Sequence, residues 1–336
     1  MNQEQPLNFS AFTNSDGSDY RKEGEINLSS LSKKLENEDI RLIELKQLWR
    51  NVTGKVEYEG QTRFFKMAST EGISQKLENE VVWNNFANSN LQSSSLLVPK
   101  IIKSGKLDDL SFYVSEFIDG RPLAIKWEGG KLSPKIYNLK KYLPEICDFI
   151  ANLQNKSLLS FGDSGKTISD ISSNRSINED DKKLLLDKIK FWIQPESIIC
   201  TDLKDTLSLV ENSISKWKFC INHSDFVPWH ILETESGELY LIDGEHASLK
   251  PDFYDIAYFY HRTFTQAERP DLAEEFLQLT FSKLNTEKQK LFNKQFPSVL
   301  ASRIIGGYFD AVNDKQADLG FHHQLKNLLE GGVLSF

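Results

Sequence analysis

From Ile40 to Ser69, in "DIRLIELKQL" and "KVEYEGQTRFFKMAS", apolar residues alternate with polar ones or gather in short clusters. That period predicts strands, with a hairpin turn at Gly60. A helix is predicted over "ISQKLENEVVWNNFAN", where Leu77, Val81, Asn84 and Phe86 give a ragged apolar face. "LLVPKIIKSGKLDDLSFYVSEFIDGRPL" reads as two further strands around a polar turn. After Pro122 the period lengthens, and "SPKIYNLKKYLPEICDFIANLQ" carries Ile136, Leu139, Leu143, Ile146 and Ile150 at helical spacing. "NEDDKKLLLDKIKFWIQ" starts with acids and ends with bases, as a helix dipole prefers. Short strands return between Phe219 and Ile242 ("KFCINH", "HILET", "ELYLID") with a turn at Ser236–Gly237, and the chain is mostly helical from Asp255 onward. Strands first and helices afterwards predict an α+β fold rather than a parallel α/β sheet.

The same pattern divides the chain. Residues 1–25 are rich in Asn, Ser, Gln, Glu and Gly and read as a mobile lead-in. Residues 26–117 form the strand-rich part and residues 118–336 the helical part, with one small hairpin inside the latter.

Composition narrows the function classes. Of the 336 residues 39% are hydrophobic, with 22 Phe, so a large core is available. A net charge of −8 argues against a nucleic-acid binder, which needs a basic face to neutralise phosphates. Cys147, Cys200 and Cys220 are far apart and form no CxxC pair, so a zinc ribbon or disulfide framework is not indicated. They read as buried thiols of a reducing compartment. No apolar run approaches the ~20 residues that span a bilayer. The first residues lack a basic start followed by an apolar stretch. The expectation is a cytoplasmic protein with no membrane partner.

Candidate chemistry gathers in the small hairpin. His223 and Asp225 end one strand, His230 follows Asp225 by five positions, and Asp243 closes the next strand in "LIDGEHA". A hairpin brings its outer ends together, so Asp225, His230 and Asp243 can converge. Protein kinases use this arrangement: a catalytic Asp, a metal ligand five residues on, and a second Asp across the hairpin. Three polar turn residues at an ordinary hairpin would give the same spacing. The strand-rich part supplies an independent test, because Lys66 lies among Phe64, Phe65 and Met67, where a lysine is costly without a partner. Glu78 and Glu80 both lie on the following helix; Glu80 is preferred, and spacing alone does not exclude Glu78. Thr53 and Gly54 in "NVTGKV" offer hydroxyl and backbone donors to a phosphate.

With these residues in place, the chain resembles the aminoglycoside phosphotransferase and choline kinase-like family. The motifs are "FFKMA", "NEVVW", "YVSEFIDGRPL", "FGDSG", "INHSDFVPWHIL" and "LYLIDGEHASLKPDFYDIAYF", in family order over about residues 50 to 260. The resemblance implies a bilobal protein kinase-like fold with a hinge at 115–118 and ATP or GTP as phosphoryl donor. It also implies Mg2+ or Mn2+ and a small-molecule hydroxyl acceptor. By the same resemblance Asp225 would orient or deprotonate the acceptor hydroxyl, and His230 and Asp243 would bind the metal. Lys66 would contact the phosphates and pair with Glu80, while the Ser115 carbonyl and Phe117 amide would receive adenine. His223 would brace the catalytic loop, Asp255 would anchor it, and Glu245 would assist the metal or support its ligands from behind. Most of the family has asparagine where His230 stands, although its macrolide kinase branch also has histidine. Imidazole suits softer divalent ions better than magnesium. Two rival classes remain: a metal-dependent hydrolase built on His223, Asp225, His230, Asp243, Glu245 and His246, and a pseudokinase-like module that binds without transfer.

Overall fold

A computed structural model describes residues 24–48, 50–91, 95–128, 131–155, 179–194, 202–313 and 318–332. All but Gly24 and Glu25 of the expected lead-in, together with Cys200 and the "FGDSG" motif, lie outside these residues. The chain divides into two compact units. The first comprises Met1–Ser89, Val98–Asp119 and Gly244–His246, and the second Asn90–Leu97, Gly120–Asp243 and Ala247–Phe336.

The first unit is built on an antiparallel sheet of β1 (Arg41–Leu48), β2 (Asn51–Tyr58), β3 (Gln61–Ala68), β5 (Ile101–Leu107) and β6 (Leu110–Glu116). Their order is β1-β2-β3-β6-β5. The β2–β3 turn at Glu59 and Gly60 has both φ values positive, at 53° and 71°, as does the β5–β6 turn at Asp108 and Asp109, at 49° and 64°. This left-handed geometry matches the twist of the flanking strands. An additional helix, α1 (Leu28–Glu36), has Asn27 as N-cap, its side chain accepting from the Ser30 amide at 3.0 Å. Leu31 and Leu35 of α1 join Val52, Val56, Phe65, Met67 and Val114 in one core. Phe65 and Met67 point into that core, so the two-residue period of β3 turns Lys66 to the opposite face.

That face meets α2 (Glu71–Asn90). The apolar face of α2 is ragged because polar residues pack with it: buried Asn84 donates to the Pro99 carbonyl at 3.1 Å and partly buried Asn88 to that of Val98 at 3.1 Å. Val81, expected on the apolar face, is only partly buried, and Trp83 is fully buried in its place.

In the second unit a four-stranded sheet has the order β4-β12-β11-β7, from β4 (Leu96–Leu97), β7 (Gly120–Pro122), β11 (Ile231–Thr234) and β12 (Leu239–Leu241). The β11–β12 hairpin turns at Gly237, where φ is +82°. β10 (Phe219–Asn222) pairs not with this hairpin but with β13 (Ser248–Pro251). Ile136 belongs to a strand rather than the expected helix: β8 (Ala124–Glu128) and β9 (Lys131–Ile136) form a ladder that pairs Ile136 with Ala124. Helix α3 (Leu139–Asn155) begins three residues later. The remaining helices are α4 (Glu179–Ile193), α5 (Lys204–Glu211), α6 (Tyr254–Thr265), α7 (Pro270–Lys283), α8 (Thr286–Asn313) and α9 (Gly320–Glu330). Helices α6 and α7 pack on each other, α3 packs on α7, and α8 packs on α5 and α6. Cys147 and Cys220 are buried free thiols. Among the described residues no helix is long and apolar enough to cross a membrane.

Candidate active site

In the first unit Lys66 and Glu80 are both buried, and the ammonium donates to Glu80 Oε2 at 2.7 Å. Glu78 lies elsewhere on α2, accepting from Ser111 Oγ at 2.6 Å and standing 3.5 Å from Lys106. Geometry therefore resolves the choice that spacing left open. Glu245 brings a second carboxylate to the lysine, its Oε2 at 3.6 Å from Nζ, and its other oxygen accepts from Arg50. His246 Nε2 is 3.3 Å from the same Oε1, and Asn79 fixes the segment by donating to the Glu245 carbonyl at 3.0 Å. Burial works against ionising Glu245, but Lys66, His246 and Arg50 outweigh it and hold the carboxyl well below the usual range. Burial lowers the nearby Lys76 ammonium, with Glu245 opposing and Arg50 adding to the shift.

Thr53 and Gly54 are in the middle of β2, where Thr53 is in register with Lys66. A Cβ on Gly54 would come within 1.9 Å of the Glu44 carbonyl oxygen, so close strand approach by itself requires glycine there. Ser115 is buried near the end of β6, in register with Phe64 and Ile101. Phe117 is the first residue beyond the strand, and Lys55 Nζ lies 4.4 Å from its ring centroid.

In the second unit the loop after β10 is held from below. Asp255, at the first turn of α6, is fully buried and accepts from the His223 amide at 2.6 Å and the Ser224 amide at 2.8 Å. Burial pushes its carboxyl up to about 7 against the pull of those two amides. Asn222 Oδ1 accepts from the Asp255 amide at 3.1 Å and completes the brace. Ser224 takes a left-handed φ of 68°, which reverses the chain just before Asp225. The His223 ring is buried edge-on against Phe226, with centroids 6.4 Å apart.

The loop delivers Asp225 next to His230, whose Nδ1 lies 3.0 Å from the Asp225 carbonyl and 3.6 Å from its Oδ2. A carbonyl only accepts, so the proton is assigned to Nδ1. His230 Nε2 then faces Asp243 Oδ2 at 3.6 Å. Asp243 has a left-handed φ of 66°, where the chain turns out of the hairpin. One ligand atom from each of Asp225, His230 and Asp243 lies within 4.8 Å of the others, and all three residues are partly exposed. Two carboxylates and an imidazole nitrogen suit a divalent cation, with the imidazole favouring a softer ion.

Two pairs of residues were not singled out by sequence. Arg50 and Lys76 surround Glu245. Arg262 on α6 and Arg303 on α8 are buried beside Tyr254 and Tyr258. The latter pair had a signal: each is a lone charge in an apolar run, "YFYHRTF" and "VLASRIIGGYF". Three acids near residue 270 have protein partners. Asp271 pairs with Arg269 at 2.5 Å, Glu274 accepts from Tyr260 at 2.5 Å, and Glu275 is 3.7 Å from Lys140.

A model described as the phosphotransferase enzyme family matches residues 41–289. No curated protein matches by sequence. Among solved structures, aminoglycoside phosphotransferase APH(4)-Ia is similar, with a TM-score of 0.60 at 12% identity, over 91% of this chain and 99% of that one. An ethanolamine kinase from Plasmodium vivax is similar with a TM-score of 0.52 at 14% identity, over 91% and 84% of the two chains. A spectinomycin phosphotransferase, APH(9)-Ia, solved with ADP and spectinomycin, has a TM-score of 0.51 at 13% identity, over 92% and 94%. The shared fold is kinase-like.

Proposed function

This chain belongs to the phosphotransferase enzyme family, and we propose that it moves the γ-phosphoryl group of ATP, or of GTP, to a hydroxyl of a small molecule. The observation that carries the proposal is the convergence of Asp225, His230 and Asp243 at the mouth of one hairpin. The buried Lys66–Glu80 pair of the first unit supports it independently.

Phosphoryl transfer asks little covalent chemistry of the protein; it asks for placement and for charge that meets the phosphate oxygens. In this reading Lys66 contacts the α- and β-phosphates, and Glu80 holds its ammonium in place. The hydroxyl of Thr53 and the backbone of Gly54 flank the phosphates, while the Ser115 carbonyl and Phe117 amide receive the base. His230 and Asp243 would hold Mg2+ or Mn2+, with Asp225 in reach of the same ion. A divalent ion there, when bound, offsets charge on the phosphates. Asp225 orients the acceptor hydroxyl and takes its proton. His223 and Asp255 fix the loop that carries Asp225, and Glu245 balances the cations around Lys66 until phosphate arrives. The ADP and spectinomycin in the spectinomycin phosphotransferase complex support nucleotide and small-molecule partners of this kind.

The test is ATP consumption by the purified chain, with magnesium or manganese, across a panel of amino alcohols, sugars, hydroxy acids, aminoglycosides and macrolides. Acceptor-dependent consumption is expected. It should fall at least about 100-fold in Lys66→Ala, the scale of losing one preorganised charge at a transition state. Hydrolysis of a substrate without nucleotide, unaffected by Lys66→Ala, would establish the hydrolase instead. Stabilisation by nucleotide with no turnover on any acceptor would establish a binding module.

A further inference from the structure

Tyr254, Tyr258 and Arg262 are spaced by four on α6 and share one face of that helix. Arg303 and Asp310 are spaced by seven on α8 and likewise share a face. The two faces meet. The Arg303 guanidinium lies 4.3 Å from the Tyr258 ring centroid and 5.3 Å from that of Tyr254, and donates to Tyr254 Oη at 2.9 Å. Arg262 lies 5.0 Å from the Tyr258 ring, donates to Tyr258 Oη at 3.2 Å and pairs with Asp310. The two tyrosine rings are stacked, 6.0 Å apart at 10°.

Direct ion pairs alone do not neutralise the two guanidinium groups, although the carboxylates of Asp225 and Asp255 also act on Tyr254. Arg262 and Arg303 are only 6% and 5% exposed, and a guanidinium keeps its proton at any physiological pH. Asp310 pairs with Arg262, and among the described residues Arg303 makes no ion pair. Three buried donors, Nε of both arginines and Nη1 of Arg262, have no hydrogen-bond partner there. Buried charged donors left unsatisfied are costly, and each calls for an explanation such as a bound ion or ligand. Stacking on tyrosine recovers only part of that cost. The cluster also adjoins the catalytic loop. Asp255 follows Tyr254 directly, and burial first raises both phenols, with Arg303 and Arg262 opposing the shift and Asp225 adding to it. Tyr254, Tyr258 and Asp310 are partly exposed, so the cluster has an open side.

We propose that Arg303 and Arg262 form an anion subsite for the acceptor, so that the hydroxyl compound presented to Asp225 carries a carboxylate or a phosphate monoester. A guanidinium fork matches either group with two parallel hydrogen bonds and makes no such match to an ammonium or a neutral alcohol. The acceptor class is then anionic polyols and hydroxy acids rather than cationic amino alcohols. This inference rests on the phosphotransferase reading for the fate of the hydroxyl, but not for the binding of the anion.

Two series of matched carbon skeleton test it. One is glycerate, glycerol 3-phosphate, glycerol and 3-amino-1,2-propanediol; the other is gluconate, glucose 6-phosphate, glucose and glucosamine. Binding of each probe is measured by calorimetry at fixed ionic strength, with and without saturating AMP-PNP, which fills the nucleotide site and prevents phosphate probes from reporting on it. In at least one series the anionic members should bind at least 10-fold tighter than their neutral parent. Arg303→Gln should erase that difference, and Arg303→Lys should keep part of it. The carboxylate and phosphate arms show which anion is preferred. Anionic members that bind no tighter than neutral or cationic ones in both series, silence included, overturn the proposal, as does a preference that survives in folded Arg303→Gln. The wild-type comparison stands even if the variants fail to fold. Anion binding without any AMP-PNP binding would sink the phosphotransferase reading and leave the subsite intact.

Discussion

With the proton assigned to Nδ1, His230 donates a hydrogen bond to the Asp225 carbonyl and so aims Nε2 at Asp243 Oδ2 across 3.6 Å. Two acceptors at that distance can serve as two ligands of one divalent ion. The imidazole biases the choice of ion: His230→Asn should move the metal preference from manganese toward magnesium, read as the ratio of ATP consumption rates in the two metals. An unchanged ratio would remove His230 from the ligand set. In the sequence, Asp225, His230 and Asp243 were legible as a constellation because their spacing matches a hairpin's outer ends. Arg50 was not, because a turn residue has no period and its partner Glu245 is 195 positions away. Arg303 was overlooked for another reason: one charge in an apolar helix reads as a defect in the pattern until burial and missing partners are seen.

Close packing at glycine constrains two segments. A Cβ on Gly244, next to Asp243, would come within 2.2 Å of Trp83 Cδ1, and Trp83 is fully buried. Gly244→Ala should therefore cost about 1–3 kcal/mol in urea unfolding and lower transfer by displacing the segment that carries Glu245. A Cβ on Gly307 would come within 2.2 Å of His261 Nε2, at the contact of α8 with α6. His261 also sets a pH dependence. Burial first, then Arg262, His322 and Arg303, holds its imidazole well below 6.5, so it is neutral in the folded protein. Below about pH 6.5 the unfolded chain binds a proton that the folded chain refuses, so this group's contribution weakens stability as pH falls, by up to about 1.4 kcal/mol per pH unit. Urea unfolding at pH 7.0 and 5.5 should show a larger loss in the wild type than in His261→Gln; equal losses would refute the assignment. At this scale the sequence was less legible. Helix α1 was missed because its short apolar stripe gains stability only against the sheet, and Ile136 was placed in a helix because "PKIYNL" allows either period. The β8–β9 ladder is a tertiary choice that the local period does not encode.

For the whole molecule, the order of strands and then helices was enough to expect α+β, and the family and the kinase-like fold agree with it. What the order did not reveal is that the chain returns: Gly244–His246, far down the sequence, belongs to the same compact unit as Lys66. Nor could it reveal that β10 pairs with β13 instead of extending the hairpin. Both are long-range pairings, fixed by packing rather than by local period. The central claim is that Asp225 places and deprotonates an acceptor hydroxyl. Phosphoryl transfer to the best acceptor, followed by phosphorus NMR in wild type and Asp225→Asn, tests it most directly. Transfer should fall by about 10²–10⁴, the usual contribution of a positioned base, while nucleotide affinity stays within about twofold of the parent. An Asp225→Asn variant that phosphorylates the acceptor at the parent rate would contradict the account.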